Sequence, residues 1–253
     1  MFKCAIVRKP CPDMVKGLTT ANLGLPDYRK ALIQHAGYVQ ALEECGLKVQ
    51  VLEPDNSYPD STFVEDVALC TSKMAVITNP GAPSRKGETM EMKRILNDFY
   101  ERIEKIQSPG TLDAGDVMMA DHHFYIGISQ RTNDEGADQL IKILNRYQMT
   151  GSKVSLRNML HLKTGLSYLE QHNLLICGAF INNSEFDRFN KIRVAEDEAY
   201  AANSVWINDT VLVPDGFPET KKNIEKAGYK TITIDVSEFQ KLDGGLSCLS
   251  LRF

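Results

Sequence analysis

The sequence lacks a surplus of basic charge. It carries 29 Lys and Arg against 33 Asp and Glu, for a net charge of −4, whereas a nucleic-acid binder shows a basic excess. It also lacks any apolar run approaching the ~18 residues that cross a bilayer. The first eight residues, MFKCAIVR, have neither the apolar stretch nor the small-residue cleavage site of a secretory signal. There is no Cys-x-x-Cys pair: Cys4, Cys11, Cys45, Cys70, Cys177 and Cys248 match no zinc ligand spacing. Low-complexity segments and an interdomain linker are missing too. These absences predict a cytoplasmic protein that binds neither nucleic acid nor membrane. At 253 residues the chain buries enough surface to dispense with disulfides, so the thiols are expected reduced, most of them packed as small apolar groups.

What is present is a repeat. Asp66, Asp116, Thr164 and Asn203 each open a pair of apolar, β-branched or aromatic runs joined by turn residues, which is a hairpin signal. A further strand at 246–251 has no partner after it, and the strand at 3–7 has none before it, so the termini can complete a fifth unit between them. Helices are expected after the hairpins. The segment 26–45 carries Ala31, Leu32, His35, Tyr38, Val39 and Leu42 at helical spacing, with Gly46 as the stop. Segments 88–100, 133–147, 184–190 and 220–227 are read likewise. Third strands follow at 48–52, 102–106, 153–156, 191–194 and 231–236. The unit is β-β-α-β, used five times. Five such units around an axis, closed by pairing the two terminal strands, give a five-bladed α/β propeller over residues 1–253 as one domain; an open α/β sheet is the competing topology.

In a propeller the first strand of each unit lies nearest the axis, so residues at the same end of those strands converge. That set is Glu65 with Asp66, Asp113 with Asp116, His161, Asn203 and Cys248. A thiol, an imidazole and several carboxylates around one pocket supply a nucleophile, an acid/base and binders for a cation. Each has an ordinary alternative. A cysteine near a C-terminus is commonly buried as a hydrophobe. His161 follows Met159 and Leu160 and could be a core histidine, and Asp113 or Asp116 could be bonding its own turn. The turn at 243–245 just before Cys248 brings backbone close to a ligand.

The segments PDSTFVED at 59–66, TLDAGDV at 111–117, HLKT at 161–164 and DGGLSC at 243–248 resemble, in order and spacing, the motifs of the dimethylarginine dimethylaminohydrolase family. GAPSRKGE at 81–88 and SQRTN at 129–133 resemble family segments as well. The resemblance runs over essentially the whole chain. It implies the pentein fold and hydrolysis of Nω-methylated L-arginines to L-citrulline and dimethylamine or methylamine, through a covalent thiouronium. Carried over by motif, it implies Cys248 as nucleophile, His161 as general acid/base and Asp113 as the carboxylate supporting the histidine. Some members have Glu at that last position, and the shorter Asp leaves its reach to His161 in question. Asp60 and Asp66 are implied as guanidinium binders, with Glu65 lining the pocket. Arg85 and Arg131 are implied as the clamp on the substrate carboxylate, and Leu18 and Leu242 as backbone contacts to the amino-acid end. Phe63 and the Leu18 loop would form a wall for the methyl groups. A small guanidine is the implied partner, with no metal or organic cofactor, and the resemblance allows a homodimer. Other readings remain: an arginine or agmatine deiminase, an amidinotransferase, or a silent propeller that only binds arginine-like ligands. Deiminases of arginine and amidinotransferases are usually longer, and a pure binder has no use for the thiol.

Overall fold

The computed structural model describes residues 1–156 and 159–253. Five three-stranded sheets surround a central axis. The middle strand β1 (Cys4–Arg8) runs into α1 (Tyr28–Glu44), which returns the chain to β2 (Lys48–Leu52), parallel to β1. Parallel neighbours cannot be joined by a tight turn and need such a crossover. The second sheet is the hairpin β3 (Ala68–Cys70) and β4 (Ala75–Ile77), then α2 (Glu88–Leu96) and β5 (Ile103–Lys105). The third is β6 (Val117–Ala120), β7 (His123–Ile128), α3 (Asp134–Arg146) and β8 (Thr150–Ser155). The fourth holds β9 (Leu166–Tyr168), β10 (Asn173–Ile176) and β11 (Asn190–Arg193). The fifth holds β12 (Val205–Ile207), β13 (Thr210–Pro214), α4 (Pro218–Lys226) and β14 (Lys230–Ile234). After a one-turn helix, α5 (Ser237–Gln240), the chain ends in β15 (Leu251–Arg252), which pairs antiparallel with β1. The two ends of the chain thus share one sheet, and the propeller closes as expected.

Local chemistry sets the helix starts. Asp27 caps α1 by accepting from the Arg29 and Lys30 amides, and Asn133 caps α3 by accepting from Gly136 N; each occupies donors that the first turn leaves orphaned. The helices cover the outer faces of the sheets. Apolar side chains from neighbouring sheets meet between them, as where Met118, Tyr125 and Val154 of the third pack on Leu166, Leu174 and Ile176 of the fourth.

Three expectations are corrected. The segment 184–190 is not a helix: the fourth crossover is made of two short 3-10 turns, Gly178–Asn182 and Ser184–Phe186. Its Phe180, Phe186 and Phe189 are buried at six- and three-residue steps, which do not make the continuous stripe a helix needs. The helix expected over 88–100 ends at Leu96, since residues 97–99 turn away. The strand expected over 246–251 shrinks to its last residues, and Ser247–Leu249 forms a 3-10 turn, so Cys248 stands on a turn rather than in a strand. Among the described residues no helix is long and apolar enough to cross a membrane.

Candidate active site

A 3-10 turn precedes the inner strand of every sheet: Val64–Val67, Ala114–Asp116, Leu162–Thr164, Glu196–Ala202 and Ser247–Leu249. The turns lie side by side at one end of the axis, and marker side chains tie each to the next. Asp66 Oδ1 accepts from Gly115 N at 3.1 Å, and Asp116 Oδ1 accepts from Leu162 N at 3.0 Å. Asn203 Nδ2 donates to Lys163 O at 3.0 Å, and Asn203 Oδ1 accepts from Ser247 N at 2.9 Å. Ser247 Oγ donates to Glu65 at 2.8 Å, which completes the circuit. The repeated polar markers therefore satisfy backbone groups that the axis would otherwise bury unpaired.

Above this ring is a cleft of about 380 Å³. It is lined by Leu18, Asp60, Phe63, Asp66, Arg85, Asp113, Arg131, His161, Leu242 and Cys248, ten of the eleven residues expected from the sequence. The eleventh, Glu65, turns the other way. Its carboxylate meets Lys163 Nζ at 2.6 Å and Arg252 Nη2 at 3.1 Å, and it lines a separate axial pocket formed by the inner strands.

His161 stands between carboxylates. Its Nε2 is 3.3 Å from Asp113 Oδ2, so the shorter acid reaches the ring. A Cβ at Gly115 would lie 2.7 Å from Asp66 Oδ1 and 2.9 Å from His161 Nδ1, so only glycine there lets the ring and Asp66 approach. Burial disfavours the charged ring, but Asp66, Asp113 and Asp116 outweigh it and raise the imidazolium pKa to about 9. The ligand atoms of Asp66, Asp113 and His161 lie within 4.8 Å of one another. The carboxylates favour the protonated ring, in which both nitrogens donate. Asp113 is itself fixed by Gly81 N, which donates to Oδ1 at 2.8 Å.

Cys248 is buried. Desolvation first, then the charges of Glu65 and Asp66, push its thiol up to about 12, against a modest opposing pull from the Gly245 amide, 3.4 Å from Sγ, and from Lys163. These directions favour a neutral thiol beside an imidazolium. A cation entering beside Asp66 reverses the sign of the local field and favours the thiolate.

The two arginines differ. Arg85 is buried and heavily engaged: Nε and Nη2 donate to Glu88, Nη1 to Asp66 Oδ2 at 2.5 Å, and Nη2 also to the carbonyls of Asp60 and Phe63. It braces the 60–66 segment and at the same time lines the cleft. The Arg131 side chain has no hydrogen-bond or ion-pair partner among the described residues. Its loop is held by Ser129 Oγ, which accepts from the amides of Arg131 and Thr132 and donates to Asp116 Oδ2 at 2.7 Å. Gly81 permits that loop to press close, since a Cβ there would lie 2.4 Å from Arg131 O. Asp60 Oδ1 accepts from Leu18 N at 3.0 Å and lies within the fields of Arg85, Arg131 and Asp66. Phe63 makes an edge-to-face contact with Phe239 and walls the same cleft, and Leu242 packs beneath it.

The sequence did not point to Glu88, Ser129 or Thr132. Glu88 has a legible signal, the i,i+3 spacing from Arg85, but its burial is tertiary. Ser129 and Thr132 flank Arg131 and act by bonding Asp116.

The profile of the family described as "N,N dimethylarginine dimethylhydrolase, eukaryotic" matches residues 27–250. The chain is 52% identical, over the full length of both sequences, to the N(G),N(G)-dimethylarginine dimethylaminohydrolase of Pseudomonas aeruginosa. It is 30% identical to the protein of the same name from Streptomyces coelicolor, covering 99% of this chain and 96% of that one. Among solved structures, a cysteine-to-serine mutant of the Pseudomonas enzyme complexed with citrulline superposes with a TM-score of 0.99 at 51% identity, covering both chains completely.

Proposed function

The chain belongs to the dimethylarginine dimethylaminohydrolase family, and from that premise we propose that it hydrolyses Nω-methylated L-arginines to L-citrulline and dimethylamine or methylamine, through a thiouronium on Cys248 and within one catalytic domain over residues 1–253. The observation that carries the reading is that a buried thiol, a carboxylate-flanked imidazolium and the cation of Arg131, which has no side-chain partner among the described residues, line one cleft.

The substrate is long and doubly ended. Its guanidinium enters beside Asp66, next to the thiol and the ring. Asp60 holds Leu18 N and lies within the fields of Arg85 and Arg131; beside the carboxylate clamp it takes the α-ammonium, in place of the guanidinium expected from motif alone. Arg131 takes the α-carboxylate, with Arg85 lining the same cleft. Charge-assisted bonds at both ends set register.

The bound cation lowers the thiol pKa, and the thiol proton leaves for solvent. The thiolate attacks the guanidinium carbon and forms a C–S bond. His161 gives its proton to the substituted nitrogen as the C–N bond breaks, releasing neutral amine and leaving a cationic thiouronium. Neutral His161 then takes one proton from water as its oxygen bonds to carbon. The C–S bond breaks, citrulline leaves, and the second water proton restores the Cys248 thiol. Asp113 holds the ring and stabilises its charged form.

Incubation with Nω-methyl-, Nω,Nω-dimethyl- and unsubstituted L-arginine, with both the ureido product and the amine identified, tests this directly. Expected are citrulline with methylamine or dimethylamine. Arginine as the preferred substrate with ammonia released would mark a deiminase on the same scaffold, and no turnover of any of them would leave a binding protein.

A further inference from the structure

Cys248 and His161 line two clefts. The first is the one described, which holds Arg131, Asp60 and Leu18 for the amino-acid end. The second meets it at Cys248, His161 and Asp243 and is walled by Gly115, Lys163, Thr164, Tyr200, Asn203, Gly245 and Ser247. Arg131, Asp60 and Leu18 do not line it, and besides His161 its two other charged groups are already engaged, Lys163 with Glu65 at 2.6 Å and Asp243 with Thr20.

The geometry points to the second cleft as the compartment that receives the Nω-substituent of the substrate and passes the leaving amine, which makes Thr164 and Tyr200 determinants of which guanidines are hydrolysed. This rests on the hydrolase reading above. While the thiouronium persists, the amino-acid end still fills the first cleft, so the amine leaves and water arrives from another side. Gly115 lies against the Nδ1 edge of His161, the edge opposite Asp113, and it belongs to the second cleft. The proton donor thus faces the space into which the substituted nitrogen departs.

The walls suit a small amine. Gly115 and Gly245 contribute no side chain, and a Cβ at 245 would lie 2.5 Å from Asn203 Cγ. Tyr200 presents its ring, with its hydroxyl donating to Gly244 O at 2.7 Å. Asp243 sits where the two clefts join, in a left-handed conformation at φ 57°. Its Oδ2 accepts from Thr20 N and Oγ1, which anchors the carboxylate where an amine taking up a proton from solvent would pass it. Thr164 is exposed, its amide bonding His161 O, so its side chain can grow into the opening without entering the core.

The test is a substituent series measured on wild type, Thr164→Leu and Thr164→Phe. Substrates are L-arginines with Nω-methyl, Nω,Nω-dimethyl and Nω-propyl groups, and the readout is kcat/KM from citrulline formed. The loss in the variants should grow with the substituent, reaching roughly tenfold or more for the propyl compound relative to methyl, the scale on which a pocket discriminates by methylenes. The methyl substrate, measured in the same preparation, reports that each variant is folded. A loss equal for all substituents, or none for any, overturns the inference while leaving the hydrolase reading intact. Wild type that forms no citrulline from any of the three overturns that reading instead, and the inference with it.

Discussion

At the residue scale the central fact is the opposed poise of Cys248 and His161. Burial first, then Glu65 and Asp66, push the thiol up to about 12, while Asp66, Asp113 and Asp116 overcome burial and raise the ring to about 9, so the free enzyme is ready for a cation and not for a neutral ligand. Cys248→Ser should lower turnover by on the order of a thousandfold or more with an unchanged fold by circular dichroism. Mass spectrometry after acid quench should find the wild-type adduct on Cys248; an adduct on Cys4, Cys11, Cys45, Cys70 or Cys177 would displace the assignment. Activity that requires imidazolium should persist up to about pH 9 and fall above it. Asp113→Asn removes one of the charges supporting the ring, so the descending limb of the pH–rate profile should move to lower pH; an unmoved limb would make Asp113 a turn residue. The same shift links to stability. The folded pKa of His161 lies above the unfolded value of ~6.5, so its stabilising contribution is complete below that value and is lost as pH rises through about 9.

At the element scale the turns and loops do the positioning. Arg85, Asp66 and Glu88 form a buried charge cluster joining the start of α2 to the second-sheet turn. Removing one member of a buried pair strands the other. Glu88→Ala should cost about 3 kcal/mol by denaturant unfolding and loosen the 60–66 segment, whereas a surface pair such as Lys9 with Glu53 should be nearly neutral when broken. Gly81→Ala sets a methyl against the Arg131 backbone. The loop must move, so KM should rise more than kcat falls; equal effects on both would argue that Arg131 does not hold the substrate carboxylate.

At the scale of the whole molecule, closure depends on a short seam. β15 contributes only Leu251 and Arg252 to the pairing with β1, backed by Lys3 and Cys4 amides donating to Phe253 O. Tyr38 of α1 donates to Leu246 O at 2.8 Å and meets Ser250 Oγ at 2.7 Å, and Arg252 reaches Glu65 of the neighbouring blade. Deleting residues 251–253 should lower Tm by ten degrees or more, on the order of 4–8 °C per kcal/mol for small domains and less for larger ones, and should abolish activity, because Cys248 stands on the turn this seam anchors. Retained activity would mean that the ring of turns holds itself without closure.

The hairpins, four crossover helices and the pairing of the two ends were legible along the chain, because apolar periodicity and turn residues are local signals. The fourth crossover was misread since a stretch rich in buried phenylalanines has the composition of a helix without its spacing. The markers at 66, 116 and 203 were also visible, and they proved to be residues bonding one turn to the next, whereas at the 162–164 turn the link is the Lys163 carbonyl and not the Thr164 side chain. Which residues face the cleft was decided only by tertiary structure. Adjacent Glu65 and Asp66 point to opposite cavities, and Arg85 and Arg131, alike in sequence, end as a buried brace and a free cation. Side-chain direction on a 3-10 turn and the competition for charged partners depend on what the other blades bring to the axis, from positions up to 187 residues away, and no local pattern records that.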